Sequence, residues 1–262
     1  MARSGRTDGT MRLSLPPQAC DCHVELTAAA EPLPDEAPPQ AGLPELRALQ
    51  KRLGLARAVL VQPACFGTDN TAMLQALALH RNVLRGVAAV AADLADEALE
   101  RFAHTGVRGL RLGAEAADDP HGIEALAVRA EPLRLHLQLG LDAAALRRLA
   151  PLLAELPVEI AIEAMGRPDP AAGPGQPGFR VLLKLVQSGR CWVNLAGAPY
   201  SRPFVDALIQ ADPTRLLWGS GWPVAAASPP ESLGQFALLV PDERLRHLIL
   251  VENPARLYRF GE

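Results

Sequence analysis

Eight apolar segments of strand length recur along the chain, each followed by a stretch with helical spacing, and this alternation limits the folds open to it. The predicted strands are Cys20–Leu26, Ala56–Gln62, Arg85–Val90, Val107–Leu112, Leu133–Leu139, Val158–Ala164, Cys191–Ala196 and Arg215–Gly219. Between them the spacing predicts a helix over 43–53, one led by Asp69, one from about Asp93 to Thr105 and one ending near Arg129. Asp142 is expected to cap a helix with Leu146, Leu149, Ala150 and Leu153 on one face, and Pro203 to open another. Asn253 is expected to cap the last helix, with Pro254 at its first position. Strands that alternate with helices without a composition break form parallel sheets, and eight such units in 262 residues predict a single (β/α)8 barrel over residues 18–262. A doubly wound open sheet is the second choice, and the lack of a Gly-rich phosphate loop after the first strand counts against it. Residues 1–17 read as a tail, and the Pro-rich run from Glu31 to Pro44 as a loop that can wall a site.

The first strand is chemically unusual. In Cys20-Asp21-Cys22-His23-Val24-Glu25-Leu26 a two-residue period puts Asp21, His23 and Glu25 on one face and Cys22, Val24 and Leu26 on the other. Three ionisable groups in a row must each find a partner or stay wet. One face therefore reads as a site and the other as packing against helices. In a barrel of this kind the chemistry sits where the strands end. Those ends present His23, Glu25, Gln62, Arg111, His136, Gln138 and Asn194, with Arg167, Asp169, Tyr200 and Arg202 in the following loops.

Composition removes several classes of function. The chain is 49% hydrophobic and 21% charged with a formal net charge of −3, as in an ordinary globular protein. No Lys/Arg cluster stands out, so nucleic acid and anionic membrane are not expected partners. No segment reaches membrane-spanning length and no apolar run follows the basic first residues, so a cytoplasmic location is expected. The four cysteines lack paired spacing and read as reduced thiols.

Several segments carry a family resemblance when taken together. They are Asp21-Cys22-His23, the run from Val61 to Asn70, Arg108-Gly-Leu-Arg111, Met165-Gly-Arg-Pro-Asp169, Trp218-Gly-Ser-Gly-Trp-Pro223, and the run from Leu250 to Tyr258. In this order, over nearly the whole chain, they resemble the amidohydrolase-related branch of the amidohydrolase superfamily, in particular its 2-pyrone-4,6-dicarboxylate lactonase-like group. The resemblance implies a barrel enzyme acting on a small carboxylated lactone or related ring. It also exposes departures. The family's second first-strand His is Glu25 here, the sixth-strand His is Ala164, and the strand-eight Asp that activates water is Gly221. The His after Trp-Pro is Val224, the Tyr of the Val-Gln-Pro segment is Phe66, and the strand-seven Lys is Asn194.

These departures shape the expected chemistry. His23 and Glu25 supply at most two ligands where a divalent metal wants three or four, so no metal and no other cofactor is expected. His23, Glu25 and His136 are the candidate catalytic groups, either as proton carriers or, for Glu25 and His136, as structural residues. Arg111 reads as the anchor for a substrate carboxylate or as the partner of Glu25, with Gln62, Gln138, Asn194, Tyr200 and Arg202 as further substrate-binding candidates. Glu163 is expected to face the helices or the loop by alternation from Ala164. The predicted function is metal-independent hydrolysis or isomerisation of a small-molecule carboxylated lactone. The alternative is a catalytically degenerate barrel kept for binding a ligand or a partner subunit. A homo-oligomer is compatible with the sequence.

Overall fold

The computed structural model describes residues 14–27, 41–196, 201–225 and 227–261. Most of the expected tail, the Pro-rich loop up to residue 40, and Tyr200 lie outside them. Eight parallel strands run in the sheet order β1 to β8: Cys20–Val24, Arg57–Val61, Leu84–Ala89, Val107–Leu112, His136–Leu139, Ile160–Ile162, Cys191–Asn194 and Leu216–Leu217. The seam between first and last strand is joined by Cys22 N–H donating to Trp218 O at 2.9 Å and Glu25 N–H to Trp222 O at 2.8 Å. Gly221 N–H returns a bond to His23 O at 2.9 Å. The barrel is thus drawn together, as the strand–helix rhythm predicts. Among the described residues no helix is long and apolar enough to cross a membrane.

The helices are α1 (Leu43–Leu53), α2 (Thr71–Leu79), α3 (Asp96–Thr105), α4 (Pro120–Ala130), α5 (Ala143–Glu155), α6 (Pro177–Gln187), α7 (Arg202–Ala211), α8 (Pro229–Leu239), α9 (Glu243–His247) and α10 (Asn253–Tyr258). Asp142 caps α5 as expected, accepting from Ala145 N–H at 2.8 Å. The fifth strand starts three residues later than its apolar run, because Leu133 and Arg134 form a turn in which Arg134 takes a φ of 55°. Asn253 is not a cap. It is buried in continuous helical backbone, and its side chain donates to Pro213 O at 2.9 Å and Leu216 O at 2.8 Å. It fastens the last helix to the start of β8.

Two apolar layers follow from the two-residue period of the strands. Val24, Leu60, Ala88, Leu110, Leu139, Ile162 and Val193 belong to the large core under the helices. Cys20, Cys22, Val59, Val61, Val87, Ala161, Trp192 and Leu217 form an inner cluster, closed by Leu257, Tyr258 and Phe260 from the chain's end. Cys22 is therefore inside the barrel and not against the helices, which corrects the expected faces of β1. The cause is a bulge. From Asp21 to Val24 the first strand advances three residues while its partner advances two, Ala58 to Leu60. Asp21 thus leaves the face shared by His23 and Glu25, and its carboxylate turns to the seam, accepting from Ser220 N–H at 2.8 Å and His23 N–H at 3.2 Å.

Burial lifts the Asp21 carboxyl to about 6, against the hydrogen bonds from Ser220 and His23 that pull it down. A carboxyl raised above its unfolded value holds its proton more tightly in the folded chain. Its contribution to stability is whole below about pH 4 and is lost as pH rises through about 6, some 3 kcal/mol in all. Asp21→Asn is expected to remove about 3 kcal/mol of the fall in unfolding free energy between pH 4 and 7, read by urea titration; an unchanged fall contradicts the assignment. Asn253→Ala is expected to cost about 2 kcal/mol in the same assay, since the buried Leu216 carbonyl and the part-buried Pro213 carbonyl lose their donor.

Candidate active site

At the C-terminal ends of β1, β4, β5 and β6 the barrel brings a guanidinium, two carboxylates, an imidazole and an amide together. Arg111 stands on β4. Its Nε and Nη2 donate to the two oxygens of Glu163 at 2.8 and 3.0 Å, and its Nη1 donates to Gln62 O at 2.7 Å. Gln138 on β5 donates from Nε2 to Glu163 Oε1 at 2.8 Å. Glu25 lies just past β1, with Oε1 4.0 Å from Arg111 Nη1 and 3.5 Å from His23 Nε2. Glu25 thus stands between an imidazole and a guanidinium. Side chains of His23 and Glu25 are each 13% exposed, enough to meet a ligand at the mouth.

Glu163 is a residue of the mouth that sequence reasoning placed wrongly. It is buried and turned into the mouth, and not toward the helices. The strand β6 ends at Ile162, and the chain then tightens into a 3-10 turn in which Ala164 and Met165 take positive φ. Alternation counted back from Ala164 therefore fails. Counted from Ile160 and Ile162, which pack outward, it puts Ala161 and Glu163 inside. Burial by itself would push the Glu163 carboxyl up, but the charge and hydrogen bonds of Arg111, with His23 and Gln138, hold it below the ordinary carboxylate range. Burial also disfavours the Arg111 charge, yet Glu163 and, more weakly, Glu25 and Glu115 keep the guanidinium above its ordinary value. Both groups are ionised at neutral pH, and their bidentate pairing is the strong geometry for such a contact.

The other expected residues are placed as follows. Gln62 is buried and donates to Asp69 O at 2.7 Å, pinning the loop after β2. Asn194 donates to Cys22 O at 3.2 Å and accepts from Ala196 N–H at 2.8 Å, so its amide joins β7 to β1. His136 lies at the start of β5, where its ring packs edge-on to Tyr258 at 5.4 Å. Gly109 makes room for it, since a Cβ there would fall 2.4 Å from Nε2. Burial pushes the His136 imidazole down to about 3, so it is neutral. It borders a cavity of about 250 Å³ lined by Arg134, Glu159 and Arg259, at the opposite end of the barrel from the mouth. Arg202 opens α7 and donates to Leu238 O at 2.8 Å, beside Asp206. The structure therefore joins His23, Glu25, Arg111, Gln138 and the main chain of Gln62, and leaves His136 and Arg202 elsewhere.

A cavity of about 290 Å³ opens beside this cluster, lined by Arg111, Glu163, Arg167, Glu115 and the loop residues Ala64 and Thr68. No three His, Cys, Asp or Glu side chains converge as a metal site among the described residues. His23 and Glu25 are two donors, and Glu163 is bound to a guanidinium, so the donor set does not fit a divalent ion.

The family model described as amidohydrolase matches residues 20–260. A 4-sulfomuconolactone hydrolase from Rhizobium radiobacter is 32% identical over 276 residues, covering 94% of this chain and 91% of the relative. A D-galactarolactone isomerase from Agrobacterium fabrum is 26% identical over 249 residues, covering 86% and 84%. A crystal structure from Pseudomonas putida shares 29% identity at a TM-score of 0.83, covering 95% of this chain and all of that one.

The Arg111–Glu163 pair predicts a measurable asymmetry. Arg111→Met is expected to destabilise the fold by about 3–5 kcal/mol, because it strands a buried carboxylate. Adding Glu163→Leu is expected to recover most of that loss in chemical denaturation; no recovery contradicts the pairing.

Proposed function

The chain belongs to the amidohydrolase family, and from that premise we propose that it is a metal-independent enzyme that opens or isomerises a small carboxylated lactone. The observation that carries the reading is the placement of Glu25 between His23 at 3.5 Å and Arg111 at 4.0 Å, at the end of the barrel where such folds do their chemistry. The named activities of the two relatives above, a lactone hydrolase and a lactone isomerase, support the same substrate class.

The two reactions share their proton chemistry. In hydrolysis a water oxygen attacks the lactone carbonyl. In isomerisation a hydroxyl of the substrate attacks it. Either nucleophile must lose a proton, and the ring oxygen must gain one when the acyl bond breaks. His23 and Glu25 form the pair that takes up and returns that proton. Arg111 faces them with N–H groups that favour negative charge on the carbonyl oxygen as the tetrahedral centre forms. Residue 221 is glycine and offers no base of its own, so in this scheme the acid–base task falls to the first strand. Gln138 fixes Glu163, and through it the angle of Arg111. In this scheme His136, Gln62 and Asn194 support the barrel, and the substrate meets the mouth cluster.

Glu25→Gln keeps the shape of the side chain and removes its base. It is expected to lower turnover of a lactone substrate by about 10²-fold or more with the fold intact by circular dichroism. Unchanged turnover would make Glu25 structural and this mechanism wrong.

A further inference from the structure

We propose that Glu163 is a resident carboxylate that fills the Arg111 fork and so limits the enzyme to lactones bearing a single carboxylate. The inference rests on the reading of the mouth as the site for an acidic lactone, and it names the residue that sets the charge of that substrate.

A guanidinium has five N–H groups and binds a carboxylate best through two of them at once. In Arg111 the Nε/Nη2 edge is already taken by both oxygens of Glu163. A third N–H is fixed on Gln62 O. A substrate carboxylate that sought that edge would have to expel Glu163 from a place where it also accepts from Gln138. Glu163 is buried there, so the expelled carboxylate would lose three hydrogen bonds at once.

Charge points the same way. Two guanidiniums line the cavity, Arg111 and Arg167. Glu163 and Glu115 line it with them, and Glu25 stands 4.0 Å from Arg111. Three carboxylates thus stand around two guanidiniums and the His23 imidazole before any ligand arrives. Arg167 is the second guanidinium of this wall, and it also borders a neighbouring cavity with Asp118 and Asp142. One substrate carboxylate has a cation to meet. A second could reach only the outer N–H groups of Arg111, whose Nε/Nη2 edge Glu163 closes, and it adds its charge beside three carboxylates. Removing the charge of Glu163 would open the Arg111 edge and correct the balance in one step.

The test uses two stable ring acids that the enzyme has no ester bond to cleave, pyridine-2-carboxylate and pyridine-2,4-dicarboxylate, titrated calorimetrically into the full chain. The wild-type protein is expected to bind the monocarboxylate about tenfold more tightly or better. In Glu163→Gln that ratio is expected to fall at least about tenfold. In Glu115→Gln, which removes a charge without opening the fork, it is expected to change less than about threefold. Equal binding of the two acids by wild type overturns the proposal, and it does so even where Glu163→Gln fails to fold. An unchanged ratio in a folded Glu163→Gln protein, or no binding of either acid by any of the three proteins, overturns it as well. Binding is read without turnover, so a shift in ratio with no lactone turnover would sink the proposed reaction and leave the assignment of Glu163 standing.

Discussion

A guanidinium largely withdrawn from water at the mouth of a barrel has to be neutralised where it stands, and the upper half of this structure is arranged around that requirement. Arg111 comes from β4, its counter-ion Glu163 from the end of β6, the amide that steadies the counter-ion from β5, and the carbonyl that accepts from its Nη1 from the end of β2. Four strand ends are thereby fixed relative to one another by one ion pair and its hydrogen bonds. Burial opposes both charges, and only their contact makes either tolerable. The pair is thus a positioning device first. It holds a cation near Glu25 while using most of that cation's donors.

The seam between β1 and β8 supplies the other half of the site. A bulge in β1 turns Asp21 aside and leaves His23 and Glu25 toward the mouth. The backbone of His23 and Glu25 bonds to Gly221 and Trp222 across the seam, so these two residues sit on the barrel's closing joint. Gly219 allows this, since a Cβ there would fall 2.6 Å from that of His23. In such a joint, small residues after β8 serve the close approach of β1 as well as any ligand.

Much of this was legible in the chain. Strand and helix rhythm revealed the barrel, because burial on both faces forces apolar runs whose length and punctuation survive in the sequence. The cluster of His23, Glu25, Arg111 and Gln138 was legible because strand ends are predictable once strands are. Glu163 was not. Its strand is three residues long and ends in a turn with two positive-φ residues, so parity was lost at the point where it mattered. His136 and Arg202 show two other limits. Apolar flanks place a residue on a strand without telling which end of the barrel it occupies, and a charged helix start does not reveal whether it faces the mouth or, as Arg202 does, the neighbouring helix. The bulge in β1 left no mark in composition, because it needs only one extra residue and here inserted no Gly or Pro.

The central claim is that lactone chemistry proceeds here on side chains alone. Following a panel of carboxylated lactones by proton NMR, with purified protein and excess chelator, tests it most directly. The account predicts loss of the starting ring signals and growth of an opened or rearranged product under chelator. Rings that stay intact under chelator and are consumed once a divalent metal is restored would contradict it.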